Sequence, residues 1–173
     1  MSTIDVALVQ KTWDMVLPIA DGAAKVFYDC LFELDPSLHR MFENTDMASQ
    51  RKKLMQMISV AVRGLDRLDD LIPAVEALGR RHVGYGVKDS HYVTVGRALL
   101  WTLEIGLGEA FTPEAREAWT QTYATLAGVM QRAARDATAQ DPAAVTIPTS
   151  HRGGHESGKR TTSPRKLGTF SAA

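Results

Sequence analysis

The chain has 173 residues, 45% of them hydrophobic and 23% charged, the makings of one globular domain with a real core. Lys plus Arg is 20 and Asp plus Glu is 20, so no global basic excess draws in nucleic acid. The one cysteine, Cys30, excludes an intrachain disulfide framework. Apolar runs fall short of the roughly 20 residues a membrane helix needs, as where Glu104 interrupts the stretch around Leu99. The start, Met-Ser-Thr-Ile-Asp, has no basic segment followed by an apolar run. The expectation is therefore a reduced, soluble, cytoplasmic protein without a signal peptide.

Residues 1–140 read as helices throughout. Val6, Val9, Trp13 and Val16 recur at helical spacing, Ser2-x-x-Asp5 resembles a capping box with Asp for Glu, and Pro18 limits this first helix. A second stripe holds Ala24, Phe27, Tyr28, Leu31 and Phe32 and stops near Asp35-Pro36. A third runs through Gln50, Leu54, Met57, Ile58, Ala61 and Leu65. The fourth, with Leu71, Val75, Leu78 and His82, ends at Gly84 and Gly86. The fifth carries Tyr92, Val95, Leu99 and Leu103. The sixth opens at Thr112-Pro113-Glu114, an N-cap, a first-position proline and an acid favoured by the helix dipole, and continues through Ala115, Trp119, Tyr123, Leu126 and Met130. The period-2 alternation of hairpins is absent. These signs predict an all-α domain of about six to eight helices. Residues 141–173 are rich in Pro, Ser, Thr, Gly and Ala and carry an excess of three positive charges. They predict a low-complexity, disordered basic tail. Within it, Gly153-x-x-x-x-Gly158-Lys159 mimics a phosphate-binding loop, but Arg160 replaces the required Ser or Thr and no flanking strand is credible. His151 and His155 make at most a weak adventitious metal pair.

Chemistry-bearing side chains are few. His82 lies four residues beyond Leu78, seven beyond Val75 and eleven beyond Leu71, so it faces the core side of its helix. Two readings are open: a buried structural histidine, or a metal ligand held by its other ring nitrogen on a backbone carbonyl one turn back. Gln50 shares a face with Leu54, Met57 and Ile58, so its lone amide points into apolar surroundings and must find a partner or lose about 1–3 kcal/mol. Tyr28 poses the same question on the second helix. Each could simply bond a backbone carbonyl; together they suggest a polar lid over a ligand in an apolar pocket. His91, next to Tyr92, is expected to be solvated, His39 to lie at the surface, and Cys30 to be a small buried hydrophobe.

The segments Phe27-Tyr28, Asp35-Pro36, Met41-Phe42, Gln50, Leu78-Gly79-Arg80-Arg81-His82, Tyr92, Val95-Gly96, Ala118-Trp119 and Tyr123, in that order, resemble a globin over nearly all of residues 1–138. The likeness is to single-domain bacterial haemoglobins, the globin domain of flavohaemoglobins, and neuroglobin. The stretch from Gly79 to Tyr92 is especially similar to the bacterial single-domain type. The resemblance implies a globin fold, a three-on-three helical sandwich, holding haem b. It implies His82 as proximal iron ligand, Phe42 stacked on the porphyrin, Tyr28 and Gln50 as the distal pair, and Leu54 closing the pocket beside them. Pro36 would mark the turn before the Phe42 corner, and Leu78, Tyr92 and Val95 would line the cofactor. Gln50 and His82 lie 32 residues apart, room for a long helix, a connection and a shorter helix around a flat cofactor.

In function, the resemblance implies reversible dioxygen binding with slow release, held by two uncharged donors, and a mainly five-coordinate ferrous form, because Gln50 is no sixth ligand. Carbon monoxide and nitric oxide are the further diatomic partners. Nitric oxide dioxygenation with a separate reductase, and a haem-less globin-like interaction or sensor module, are the alternatives. No membrane or nucleic-acid partner is implied, and the chain is expected to be a monomer or weak homo-oligomer. One departure stands out: in flavohaemoglobins a tyrosine and a glutamate join the proximal histidine in a network. Tyr92 matches that tyrosine, but Ala134 falls where the glutamate would be, which weakens any case for peroxidase-like chemistry.

Overall fold

The structure is a computed structural model and describes residues 4–140; the expectations for the tail, its phosphate-loop mimic and its histidine pair lie outside them. Six α-helices follow one another: α1 (Val6–Val16), α2 (Ala20–Leu34), α3 (Met47–Arg63), α4 (Leu68–Gly84), α5 (Asp89–Leu107) and α6 (Pro113–Gln140). Short 3-10 segments join them at Leu17–Ile19, Pro36–Phe42, Leu65–Arg67 and Gly108–Ala110. Among the described residues there is no strand, and no helix is long and apolar enough to cross a membrane.

Local chemistry sets the boundaries. Pro18 falls in the 3-10 segment that ends α1, because a proline inside the helix would remove a backbone donor and clash with the preceding turn. The α1 start differs from the expected capping box. Asp5 is itself the N-cap, accepting from Leu8 N at 2.9 Å, and Ser2 lies outside the described residues. Asp46 caps α3 through the N–H groups of Ala48 and Ser49, and Thr112 Oγ1 accepts from Ala115 N at 3.3 Å at the head of α6. Beyond α4 the chain turns at Gly86, whose φ of 74° is the left-handed region open to glycine.

Helices α1, α3 and α4 lie over α2, α5 and α6, the predicted three-on-three sandwich; the broadest contacts are α4 on α6 and α2 on α5. Trp13 and Trp119 anchor the core, with ring centroids 5.9 Å apart. Each indole N–H is satisfied, Trp13 on Ser59 Oγ at 3.0 Å and Trp119 on Thr12 Oγ1 at 2.9 Å, so burial orphans neither indole. Gly79 lets the α4 backbone press on α6: a Cβ there would overlap the backbone of Met130.

Candidate functional site

Tyr28 stands on α2 with only 5% of its surface exposed. Its ring meets Phe27 edge-on at 5.1 Å and Phe42 at 5.5 Å, and Phe32 lies 6.0 Å away. The hydroxyl shares a hydrogen bond with the Gln50 side chain. Burial raises the phenol above its ordinary pKa, against the opposite pull of Gln50, so the group stays a protonated donor. Gln50 sits in the first turn of α3, half-buried, positioned by the Asp46 cap. One turn on, Leu54 packs on the Tyr28 cluster together with Phe42 and Val95. Phe42 closes the Pro36–Phe42 segment, which Asp35 caps through Ser37 N at 3.0 Å.

His82 occupies the last turn of α4, half-buried. Its Nδ1 lies 2.8 Å from the carbonyl oxygen of Leu78. A carbonyl only accepts, so Nδ1 carries the proton and Nε2 keeps a free lone pair. Burial lowers the imidazole's pKa, outweighing the bond to Leu78, and the Arg81 charge adds to the lowering. The result is a neutral imidazole with one nitrogen fixed and the other able to ligate, as a metal-binding histidine requires. Tyr92, in the first turn of α5, places its ring 6.4 Å from that of His82, and Tyr85 places its own at 6.0 Å. The Tyr92 hydroxyl is buried without a hydrogen-bond partner among the described residues, while its backbone carbonyl accepts from the Tyr123 hydroxyl.

Two groups emerge. Tyr28, Phe42, Gln50, Leu54 and Val95 form one; Leu78, His82 and Tyr92 form the other. Helix α5 links them, since Tyr92 and Val95 lie one turn apart. Helices α3 and α4 meet at the Leu65–Arg67 corner but do not pack along their lengths: α3 lies on α1 and α2, and α4 on α6. Although α3 carries Leu54, Met55, Met57, Ile58 and Val60, it fully buries only Val62, and Met57 is 46% exposed. Leu54, Met55 and Ile58 pack on the core clusters, while Met57 and Val60, the latter 61% exposed, leave an apolar strip of α3 uncovered. A neutral imidazole on α4 with Nδ1 fixed and Nε2 open suits a cofactor with one metal to ligate. No cluster of three or more His, Cys, Asp or Glu able to hold a bare metal ion occurs among the described residues, and a haem needs one axial ligand only. A surface recess at the corner lined by Leu65 to Asp70 touches neither group.

Cys30 is buried, as expected. His39 is exposed, stacked on Phe32 at 4.2 Å. His91 corrects its expectation: it is only 9% exposed, and Nδ1 accepts from Lys88 N at 3.1 Å in a capping box at the head of α5. Adjacency to Tyr92 points to the opposite helix face, but side chains in a first turn reach back past the helix end. The clue lies in its place as the third residue of α5, where capping-box partners sit.

Residues 25–130 match the sequence profile of the family described as Globin. The Bacillus subtilis flavohemoprotein is 35% identical over 103 residues, 58% of this chain and 26% of that protein; the chain thus spans about a quarter of that relative. The neuroglobin of Tetraodon nigroviridis is 31% identical over 145 residues, 76% of this chain and 91% of that protein. The crystal structure of a hexacoordinated heme protein from an anhydrobiotic tardigrade shares the fold with a TM-score of 0.71 at 17% identity, covering 78% of this chain and 96% of that one.

Proposed function

The chain belongs to the globin family, and on that footing we propose that it is a haem-b globin that binds dioxygen reversibly. The reading is carried by one observation: a neutral His82 with its Nδ1 fixed by the Leu78 carbonyl and its Nε2 open. Haem, when bound, supplies an iron with an open coordination position for a diatomic gas. His82 Nε2 would hold the iron, Phe42 would pack on the macrocycle, and Leu78, Tyr92 and Val95 would line it. Cys30 is buried within the α2 cluster, so attachment rests on ligation and packing.

The Tyr28 hydroxyl and Gln50 amide are the donors that hold a polar diatomic, and Leu54 keeps water from them. Each neutral bond adds about 0.5–1.5 kcal/mol net, which slows release about two- to tenfold. Gln50 offers no imidazole, and the other histidines among the described residues are engaged elsewhere: His39 on the surface against Phe32 and His91 capping α5. The reduced, ligand-free protein should therefore be five-coordinate. Absorption spectra of the purified chain test this. A colourless protein that takes up no haemin overturns the haem reading and favours a globin-like interaction module; a low-spin six-coordinate ferrous spectrum overturns the distal assignment.

The likeness to a flavohemoprotein favours a second reading, nitric oxide dioxygenation. Mixing the oxygenated chain with nitric oxide tests for nitrate in a single turnover, and sustained turnover requires a separate reductase.

A further inference from the structure

The outward face of α5 is unusually apolar. Val93 is 64% exposed, Trp101 55% and Ile105 58%. Steps of eight and four residues place them on one stripe, about 18 Å long at the helical rise. Trp101 has no hydrogen-bond or ring partner among the described residues. An exposed, unengaged tryptophan flanked by further aliphatic surface is the composition of an interface centre. The stripe also carries two exposed charges, Arg97 and Glu104, seven residues or about two turns apart, at equal distances on either side of the Leu100–Trp101 step. Glu104 reaches Arg116 of its own chain through Oε2 at 2.7 Å, which leaves Oε1 for another partner.

We infer that a second copy of this chain docks on this face, with the two α5 helices antiparallel about the Leu100–Trp101 step. The pattern is self-complementary. A two-fold axis there sets Arg97 of each copy against Glu104 of the other, brings the two Trp101 side chains together at the centre, and extends apolar contact through Ile105. Such an isologous contact needs one patch matching itself, and a cation and an anion equidistant from the centre meet that condition. A differently charged partner would leave one of the two facing its own sign.

Sedimentation of the full-length chain from micromolar to millimolar concentration tests this. The expected result is a concentration-dependent dimer that Trp101→Arg abolishes. Arg97→Glu alone and Glu104→Arg alone should each weaken self-association at least about tenfold, because each homodimer then holds two like-charge contacts. An equimolar mixture of these two variants should restore dimers, since the heterodimer holds two opposite-charge contacts. Circular dichroism checks that each variant keeps its helices; if Trp101→Arg loses them, the charge-swap mixture decides alone. A chain that stays monomeric at millimolar concentration, a dimer indifferent to Trp101→Arg, or a mixture that does not recover association overturns the proposal.

Discussion

Tyr28, Gln50 and His82 owe their chemistry to where burial and hydrogen bonds leave their protons. Tyr28 is kept protonated by burial, so its hydroxyl has a hydrogen to donate to a neighbour that accepts. Tyr28→Phe should therefore raise the dioxygen release rate about two- to tenfold or more, read by stopped-flow displacement with carbon monoxide. Gln50→Leu should do the same, and the double variant should fall short of the product of the two, because the side chains are bonded to each other. An unchanged release rate in Tyr28→Phe would remove that hydroxyl from the mechanism. At this scale much was legible in the sequence. A polar residue at an apolar position of a helix announces itself, and the spacing of His82 from Leu78 anticipated the carbonyl that holds its Nδ1. The mutual bond between Tyr28 and Gln50 was not legible, since it joins α2 to α3 across the fold. Nor was the burial of His91, because facing rules derived from helix interiors fail in the first turn.

At the scale of elements, two close fits decide whether the helices seat. Gly79 on α4 rests on the backbone of Met130 in α6. Gly79→Ala should cost about 1–3 kcal/mol or more, since backbone cannot rotate aside as a side chain can; urea unfolding of the purified variant measures it. Asp46 sets the register of Gln50 by capping α3. Its hydrogen bonds with Ser49 lower its carboxyl pKa, so the cap's contribution is fully present above the ordinary carboxylate range, near about 3.9. It is lost as pH falls through the lowered folded value. Asp46→Ala should accordingly lower the Tm at neutral pH, with a deficit that shrinks below about pH 4, whereas Asp46→Asn should retain most of the cap at every pH. Differential scanning calorimetry across that range separates the two. The α6 cap was readable from Thr112-Pro113-Glu114, while at α1 the same logic chose Ser2 where the structure uses Asp5, since neighbouring cap-forming residues compete and only the path of the chain decides.

Across the whole molecule, stability is unevenly spread. The Trp13–Trp119 centre ties α1 to α6 and, through Ser59, to α3. Trp119→Ala should cost about 3–5 kcal/mol with or without haem. The middle of α3 is otherwise poorly covered, with Val62 its one fully buried residue. In haem-free protein its amides should exchange with solvent faster than those of α5 and α6, and haemin should slow that exchange and raise the Tm in proportion to its binding. Hydrogen exchange read by mass spectrometry tests both. Equal protection of α3, α5 and α6 in the haem-free chain would mean that α3 is held by contacts beyond those with α1 and α2.

Periodicity, prolines and cap residues determined the helical class and the six elements, because these depend on interactions within a few residues. They also marked Tyr28, Gln50 and His82 as polar groups in apolar company. Tertiary packing alone decided that α3 and α4 diverge from their corner, that Tyr28 reaches Gln50, that His91 folds back to cap α5 and that Trp101 is left outside. Those facts depend on how helices distant in sequence approach one another, and local spacing carries no record of the distance between two helices.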